Sequence, residues 1–162
     1  QKREEIRATI SARIEVKKKQ LIERIQMKLN NINERRTDHF LKVLERMQNI
    51  LDRIESRKEN VSAAGKDAKA VEAAIQTAQT AIDQAIEDVN TQKAKEYQIV
   101  VDEETTARND VGATAKQLQE DLRKVRESVK AARDAVFAAH QALRVIRGVD
   151  EGGTATPSAT PT

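Results

Sequence analysis

Apolar side chains recur along residues 10–54 at steps of four, four and three. This eleven-residue repeat corresponds to about 3.67 residues per turn, so it predicts one long α-helix with an apolar stripe along one side. No glycine or proline interrupts residues 1–64, and we therefore expect helix from about residue 3 to about residue 60. Eleven of the thirteen stripe positions are apolar, and the exceptions are Lys18 and Arg36. The positions are Ile10, Ile14, Lys18, Leu21, Ile25, Leu29, Ile32, Arg36, Phe40, Val43, Met47, Leu51 and Ile54.

A second helix is expected over about 66–96, where apolar residues alternate at steps of four and three. Gly65 is suited to end the first helix, because glycine adopts the left-handed conformation that helix C-termini require. Asp67 is suited to cap the second helix with its carboxylate. The apolar seam of this helix consists of Val71, Ile75, Ala78, Ile82, Ala85 and Val89.

The third segment, over about 103–147, keeps the same spacing without a polar exception, which is typical of a coiled coil. We expect Asp102 to cap this helix and Gly148 to end it. The β-branched cluster within 97–102 predicts an extended connection from the second helix. The seam consists of Val111, Ala115, Leu118, Leu122, Val125, Val129, Ala132, Val136, Ala139, Leu143 and Ile146.

These patterns predict an all-α fold: an elongated, antiparallel three-helix coiled-coil bundle that runs up, down and up. The alternative is a long two-helix hairpin in which the second and third helices are continuous. A second helix of about 31 residues would be about 46 Å long, so the first helix would overhang it. The overhang keeps its apolar stripe, which predicts association with a second copy or another protein. The candidate self-association stripe consists of Ile10, Ile14, Leu21, Ile25 and Leu29.

Composition supports the bundle and argues against an active site. Charged residues make up 34% of the 162 residues and aromatic residues 2%, with no Trp. Leu, Ile, Val and Ala fill thin helix–helix seams well but fill a thick globular core poorly. The sequence has no Cys, no glycine-rich phosphate loop and no HExxH-type motif. We therefore expect neither an enzyme nor a bound cofactor or metal, and no apolar run is long enough for a transmembrane segment.

The net charge of +3 is unevenly distributed. Residues 1–60 hold 16 Lys and Arg against 10 Asp and Glu, whereas the remainder holds 13 against 16. A basic helix can bind phosphates, so an anion or nucleic acid is an alternative ligand. Acidic residues interleave, however, and no aromatic residue is placed to stack on bases, so a solvated helix face competes with this interpretation. The candidate anion-binding residues are Arg13, Lys17, Lys18, Lys19, Arg24, Lys28, Arg35 and Arg36.

The chain ends in "EGGTATPSATPT", and we expect residues 148–162 to form a disordered Gly/Thr/Pro-rich tail. Such composition suits extended or glycosylated stalks of exported proteins. With "HFLKVLERMQNILDRIESR" and "NDVGATAKQLQEDLRKVRESVKAARDAV", the tail resembles exported helical envelope proteins of candidate-phylum bacteria. The resemblance implies an extracytoplasmic location after loss of an N-terminal signal; a cytoplasmic location is the alternative. It implies no activity and no site residues.

The function expected from the sequence is therefore structural. The chain is interpreted as a protein-interaction coiled coil, an exported spacer or scaffold of the cell envelope, with a protein partner or a second copy bound through the first helix. Anion or nucleic-acid binding through the basic part of that helix is the alternative.

Overall fold

The computed structural model describes residues 2–101 and 107–151, and the side chains of 2–101 and 107–146. It contains three helices, α1 (Lys2–Ala63), α2 (Lys69–Lys93) and α3 (Ala107–Glu151). The helices pack against each other, and the described residues contain no strand. The predicted all-α three-helix bundle is thus confirmed. The two-helix alternative is wrong, because residues 95–101 between α2 and α3 are not helical.

The ends of the helices differ from the expected positions by up to four residues. The largest physical difference is at Gly148, which lies inside α3 rather than ending it. A single glycine lowers helix stability by only about 1 kcal/mol relative to alanine, so the helix continues through it. The expected cap Asp102 and most of the expected tail lie outside the described residues. None of the described helices contains an apolar stretch long enough to cross a membrane.

The turn between α1 and α2 follows the chemistry expected of Gly65 and Asp67. Gly65 has a φ of 80°. Its N–H donates to the carbonyl of Ser62 at 2.9 Å, and the N–H of Lys66 donates to that of Val61 at 3.3 Å. This pair of bonds defines a Schellman motif, which satisfies carbonyls that the helix end would otherwise leave open. The Asp67 carboxylate accepts from the N–H of Lys69 at 3.0 Å and caps α2.

The packing divides into two units, and the second unit takes its residues from 40–89 and the chain from 126 onward. Its core consists of buried seam residues from all three helices, including the fully buried alanines Ala78, Ala85, Ala132 and Ala139. Because alanine side chains are small, they let neighbouring helices approach closely while leaving few voids. The seams predicted for α2 and for this part of α3 are therefore confirmed.

The first unit takes its residues from 1–39 and 90–125. Its core is a cluster of Leu29, Tyr97, Ile99 and Leu118, and partly buried Ile22 and Ile25 pack against it. The expectation that Ile25 and Leu29 have no partner within the chain is therefore wrong. The connection after α2 supplies that partner, because it brings Tyr97 and Ile99 onto α1.

The stripe predicted on α1 is also wrong at two positions. Ile32 and Arg36 are exposed, whereas Asn33 and Thr37 are buried. The row of residues that face the core continues from Leu29 to Asn33 and then to Thr37, in two steps of four residues. Polar side chains are tolerated at these positions because each of them is hydrogen-bonded.

Candidate functional site

The N-terminal part of α1 is the most exposed helical segment of the first unit. Every residue from 2 to 21 is exposed, a stretch about 30 Å long at 1.5 Å per residue. Exposed apolar side chains in this segment include Ile10, Ile14 and Leu21, with 51%, 57% and 54% of their surface accessible. These three members of the candidate self-association stripe are therefore accessible, whereas Ile25 is partly buried and Leu29 is buried.

An exposed apolar row continues beyond this segment. Ile10, Leu21 and Ile32 are each about half exposed and are spaced eleven residues apart. Since eleven residues complete three turns to within about 20°, the three side chains lie nearly in line over about 33 Å. We call Ile10, Leu21 and Ile32 the apolar row. Ile32 thus belongs to the surface of α1 rather than to its core.

A line of cations runs directly beside the apolar row. An arginine follows each of its residues by three positions, and a lysine precedes Leu21 and Ile32 by four. Positions three and four apart are neighbours on a helix surface, so these cations lie about 40–60° to one side of the row. We call this line the basic ridge; it consists of Arg13, Lys17, Arg24, Lys28 and Arg35.

All five side chains of the basic ridge are exposed. None of them forms an ion pair with a carboxylate in the part of the chain that the structure describes. Arg13 and Lys17, like Arg24 and Lys28, are like-charged pairs at a spacing of four. Such pairs destabilise a helix by a few tenths of a kcal/mol each, so the ridge does not serve the stability of α1.

Of the other three candidate anion-binding residues, Lys18 and Arg36 border the apolar row on its opposite side, three positions before Leu21 and four positions after Ile32. Lys18 and Lys19 line an open depression of about 310 Å³ that also contacts Ile99 and Val101 of the connection. Lys18, Lys19 and Arg36 are all exposed. The structure therefore brings together five of the eight predicted residues on one side of the helix.

A buried polar cluster joins α1 to the connection and to α3. Asn33, Gln92, Tyr97 and Asp121 are each at most 5% exposed. The side-chain amide of Gln92 donates to Asn33 Oδ1 at 2.9 Å and to the Tyr97 hydroxyl at 2.6 Å. That hydroxyl donates to Asp121 Oδ2 at 2.8 Å. One chain of hydrogen bonds thus crosses the first unit from α1 to α3.

Asn33 also determines where α2 ends. Its Nδ2 donates to the carbonyl of Gln92 at 2.9 Å and to that of Lys95 at 3.2 Å. The last carbonyls of a helix have no partner within the helix, and Asn33 supplies one from α1. Beside this contact, Lys93 Nζ lies 2.7 Å from Asp38 Oδ1, and the hydrogen bond and the charge of Asp38 raise the pKa of Lys93. These contacts account for the end of α2 at Lys93.

Two further amide side chains hold the connection against α1. Asn30 accepts from the N–H of Tyr97 at 2.8 Å and donates to its carbonyl at 3.1 Å. Gln26 accepts from the N–H of Ile99 at 3.0 Å. The backbone of an irregular segment needs such partners when it is packed against a helix. The connection is therefore held in place through its main chain as well as through its apolar side chains.

The acid–base properties of the cluster follow from its burial. Burial is the main reason that the pKa of Tyr97 is raised to about 12, a shift that the hydrogen bond from Gln92 opposes and Asp121 supports. Burial alone would raise the pKa of Asp121 as well. Hydrogen bonds from Tyr97, Lys95 and Gln117, with the charge of Lys95, outweigh burial and lower it. Lys95 Nζ lies 3.1 Å from Asp121 Oδ2.

The cluster is saturated with contacts from its own chain. Among the described side chains, no buried nitrogen or oxygen lacks a hydrogen-bond partner, and no group of three or more His, Asp or Glu residues is arranged to hold a metal. We therefore assign the cluster a structural role. The apolar pattern of the sequence does not predict this cluster. The signal that could have found it is the spacing of Asn33, four residues after Leu29, and of Gln92, three residues after Val89, because both continue a seam with a polar residue.

The N-terminal half of α1, with its apolar row and basic ridge, is an exposed surface that carries both apolar side chains and cations. No protein-family model, curated protein or solved structure matches the chain.

Proposed function

We propose that the chain is a non-enzymatic interaction protein that binds another protein through the N-terminal half of α1. One observation carries the proposal: every residue from 2 to 21 is exposed, yet this segment holds large apolar side chains in a helical repeat. A helix outside tertiary packing gains no stability from burial of its apolar face. A bound partner would supply that burial, and contiguous exposed apolar surface is typical of interaction sites.

The proposed biological role is a spacer or scaffold of the cell envelope. The alanine-rich seams of the second unit support a well-packed helical body, which suits a structural protein. The Thr/Ser/Pro composition of residues 152–162 and the resemblance to exported helical proteins support an extracytoplasmic location. Fractionation of cells that make the protein tests the location, and recovery in the cytosol alone would contradict it.

A second candidate function is anion or nucleic-acid binding. The basic ridge favours it, because its exposed cations have no carboxylate partner among the described residues. Such binding rests on counterion release and weakens steeply as salt is raised. An electrophoretic mobility assay with duplex and single-stranded DNA over a salt series tests it. Tight binding that is lost at moderate salt supports this candidate, and no binding at low salt removes it.

Cross-linking in the cells that make the protein tests the main proposal. A photo-reactive amino acid replaces Leu21 in one variant and Gln76, which is exposed on α2, in a matched control. We expect a discrete adduct with a protein from position 21 and none of the same mass from position 76. Equal patterns from both positions, or adducts with nucleic acid alone, would contradict the proposal.

A further inference from the structure

We propose that the partner bound by α1 presents an acidic amphipathic helix, which lies along the apolar row with its carboxylates against the basic ridge. This inference rests on the proposed function and specifies the partner of the same surface. It names another protein as the occupant, in preference to a second copy of this chain, a nucleic acid or a membrane.

The spacing of the surface argues for a helix as the occupant. Apolar row and basic ridge share an eleven-residue period, so Leu21 with Arg24 repeats the arrangement of Ile10 with Arg13. A straight α-helix with apolar residues at the same period can remain in contact over the full length of the row. Apolar side chains would meet along the centre of such an interface, with charge pairs at its rim.

The charge of the surface argues for an acidic occupant. Residues 2–21 hold seven Lys and Arg against three Glu, and the ridge cations have no carboxylate partner among the described residues. Complementary charge beside an apolar contact raises the association rate and excludes like-charged competitors.

A second copy of the chain fits this surface poorly in either orientation. In an antiparallel pair related by a two-fold axis, the ridge of one copy meets the ridge of the other, and like charges repel. In a parallel pair, the ridge meets the opposite side of the row. Around Ile22 and Leu29 that side packs against Tyr97 and Ile99 of the same chain and is not available.

A nucleic acid or a membrane would use only one of the two features, the apolar row or the basic ridge. A polyanion would use the ridge but would leave the apolar row in water, and no aromatic residue stands among these positions to stack on bases. An interfacial membrane helix uses bulky aromatic residues that this segment lacks. A helix with both apolar and acidic residues is the occupant that uses the row and the ridge together.

A synthetic helical peptide serves as the probe. It has three eleven-residue repeats, with leucine along one row and glutamate beside it, and carries a fluorophore for anisotropy measurements with the full chain. We expect saturable binding that weakens about tenfold or more when Arg13, Arg24 and Arg35 are all replaced by glutamate, through loss of three rim ion pairs. Replacement of Arg46, Arg53 and Arg57 by glutamate, on the same helix but outside the ridge, is the matched control and leaves binding unchanged.

The charge-reversed variant is expected to fold, because a carboxylate at position 13 or 24 gains Lys17 or Lys28 as an i,i+4 partner. Circular dichroism checks this expectation. A further variant replaces Ile10, Leu21 and Ile32 by serine and tests the apolar row. Loss of binding in this variant supports the helix proposal, whereas unchanged binding would show that charge alone suffices and would overturn it.

Other outcomes distinguish this inference from the proposed function. If the probe does not bind but Leu21 still gives a protein adduct in cells, the inference fails and the proposed function stands. If that adduct has twice the mass of the chain, the partner is a second copy and the inference is overturned. If the full chain binds anionic vesicles or DNA with the same affinity as the peptide, an acidic helix is not its specific partner and the inference is overturned. If Leu21 gives no adduct, the proposed function fails as well.

Discussion

The alkaline titration of Tyr97 gives a direct test of the buried polar cluster. Tyr97 is the only tyrosine, and Trp is absent, so the near-ultraviolet absorbance of phenolate reports this side chain alone. Its hydroxyl is 2.6 Å from the amide nitrogen of Gln92 and 2.8 Å from the carboxylate of Asp121. Ionisation would place a phenolate next to that carboxylate in a buried site.

The pKa of Tyr97 is accordingly about 12, compared with an ordinary value of 10.0. Because the pKa is higher in the folded state, the folded chain holds this proton more tightly than the unfolded chain. The resulting stability is fully present below pH 10 and is lost as the pH rises towards 12. Two pH units correspond to about 2.7 kcal/mol of unfolding free energy.

The assay follows phenolate absorbance and helical circular dichroism on the same samples. We expect almost no phenolate at pH 10 while the chain is folded, and ionisation near pH 10 in guanidinium, where the chain is unfolded. Half-ionisation near pH 10 with the helical signal intact would refute the burial and hydrogen bonding described for Tyr97.

The Tyr97→Phe variant is the control for the cause of this effect. It lacks the hydroxyl, and we expect it to be less stable than the natural chain by about 2 kcal/mol at neutral pH, because one of the two lost hydrogen bonds involves a charged group. Between pH 10 and 12 this difference should shrink, because only the natural chain loses the contribution of the tyrosine proton. A difference that stays constant with pH would contradict the account.

Three further predictions concern stability measured by denaturant unfolding. Asn33→Ala should lower the unfolding free energy by about 2–3 kcal/mol, because it removes a buried side chain that bonds two carbonyls and Gln92; the exposed neighbour variant Asn31→Ala should change it by less than about 0.5 kcal/mol. Gly65→Ala should destabilise by about 1 kcal/mol because φ is 80° there, whereas Gly112→Ala, inside α3 with open space around the site, should stabilise by about 0.5–1 kcal/mol. The lowered pKa of the Asp121 carboxyl stabilises the folded chain above about pH 4, and this stability is lost as the pH falls below that value. The Asp121→Asn variant should therefore lose less unfolding free energy on acidification than the natural chain.

The parts of the fold that were predictable from the sequence are those with a regular apolar period. In α2 the seam from Val71 to Val89 is buried throughout, and in α3 the seam residues of the second unit are buried or partly buried. Gly65 and Asp67 were also predictable, because their roles at helix ends depend on local backbone chemistry.

The contacts of the first unit were not predictable in the same way. Asn33 and Thr37 continue the core row of α1 with polar side chains, and a search for apolar periodicity therefore shifted the stripe onto Ile32 and Arg36. The connection that contains Tyr97 and Ile99 is irregular, and its apolar residues show no periodic spacing. Its packing against α1 could therefore not be predicted from a sequence pattern. Its burial depends on hydrogen bonds between residues more than sixty positions apart, such as Asn30 with Tyr97.

The candidate interaction surface was predictable in its residues but not in its arrangement. Ile10, Ile14 and Leu21 were expected to be accessible, and the five cations of the basic ridge were among the eight candidates for anion contacts. Exposure of Ile32 shows that the apolar row runs alongside the ridge cations over three repeats. The apolar stripe and the cations, which the sequence suggested as alternative binding features, are therefore adjacent parts of one surface.

Protection of a thiol at position 21 tests most directly whether this surface is covered by a partner. The chain has no cysteine, so Leu21→Cys introduces a single reactive group, and Gln76→Cys provides a control on α2. The labelling rate with a maleimide is measured for the purified chain and for the native material extracted gently from the cells that make it. We predict fast labelling at position 21 in the purified chain and at least tenfold slower labelling in the native material, with no change at position 76. Equal labelling at position 21 in both samples would contradict the account.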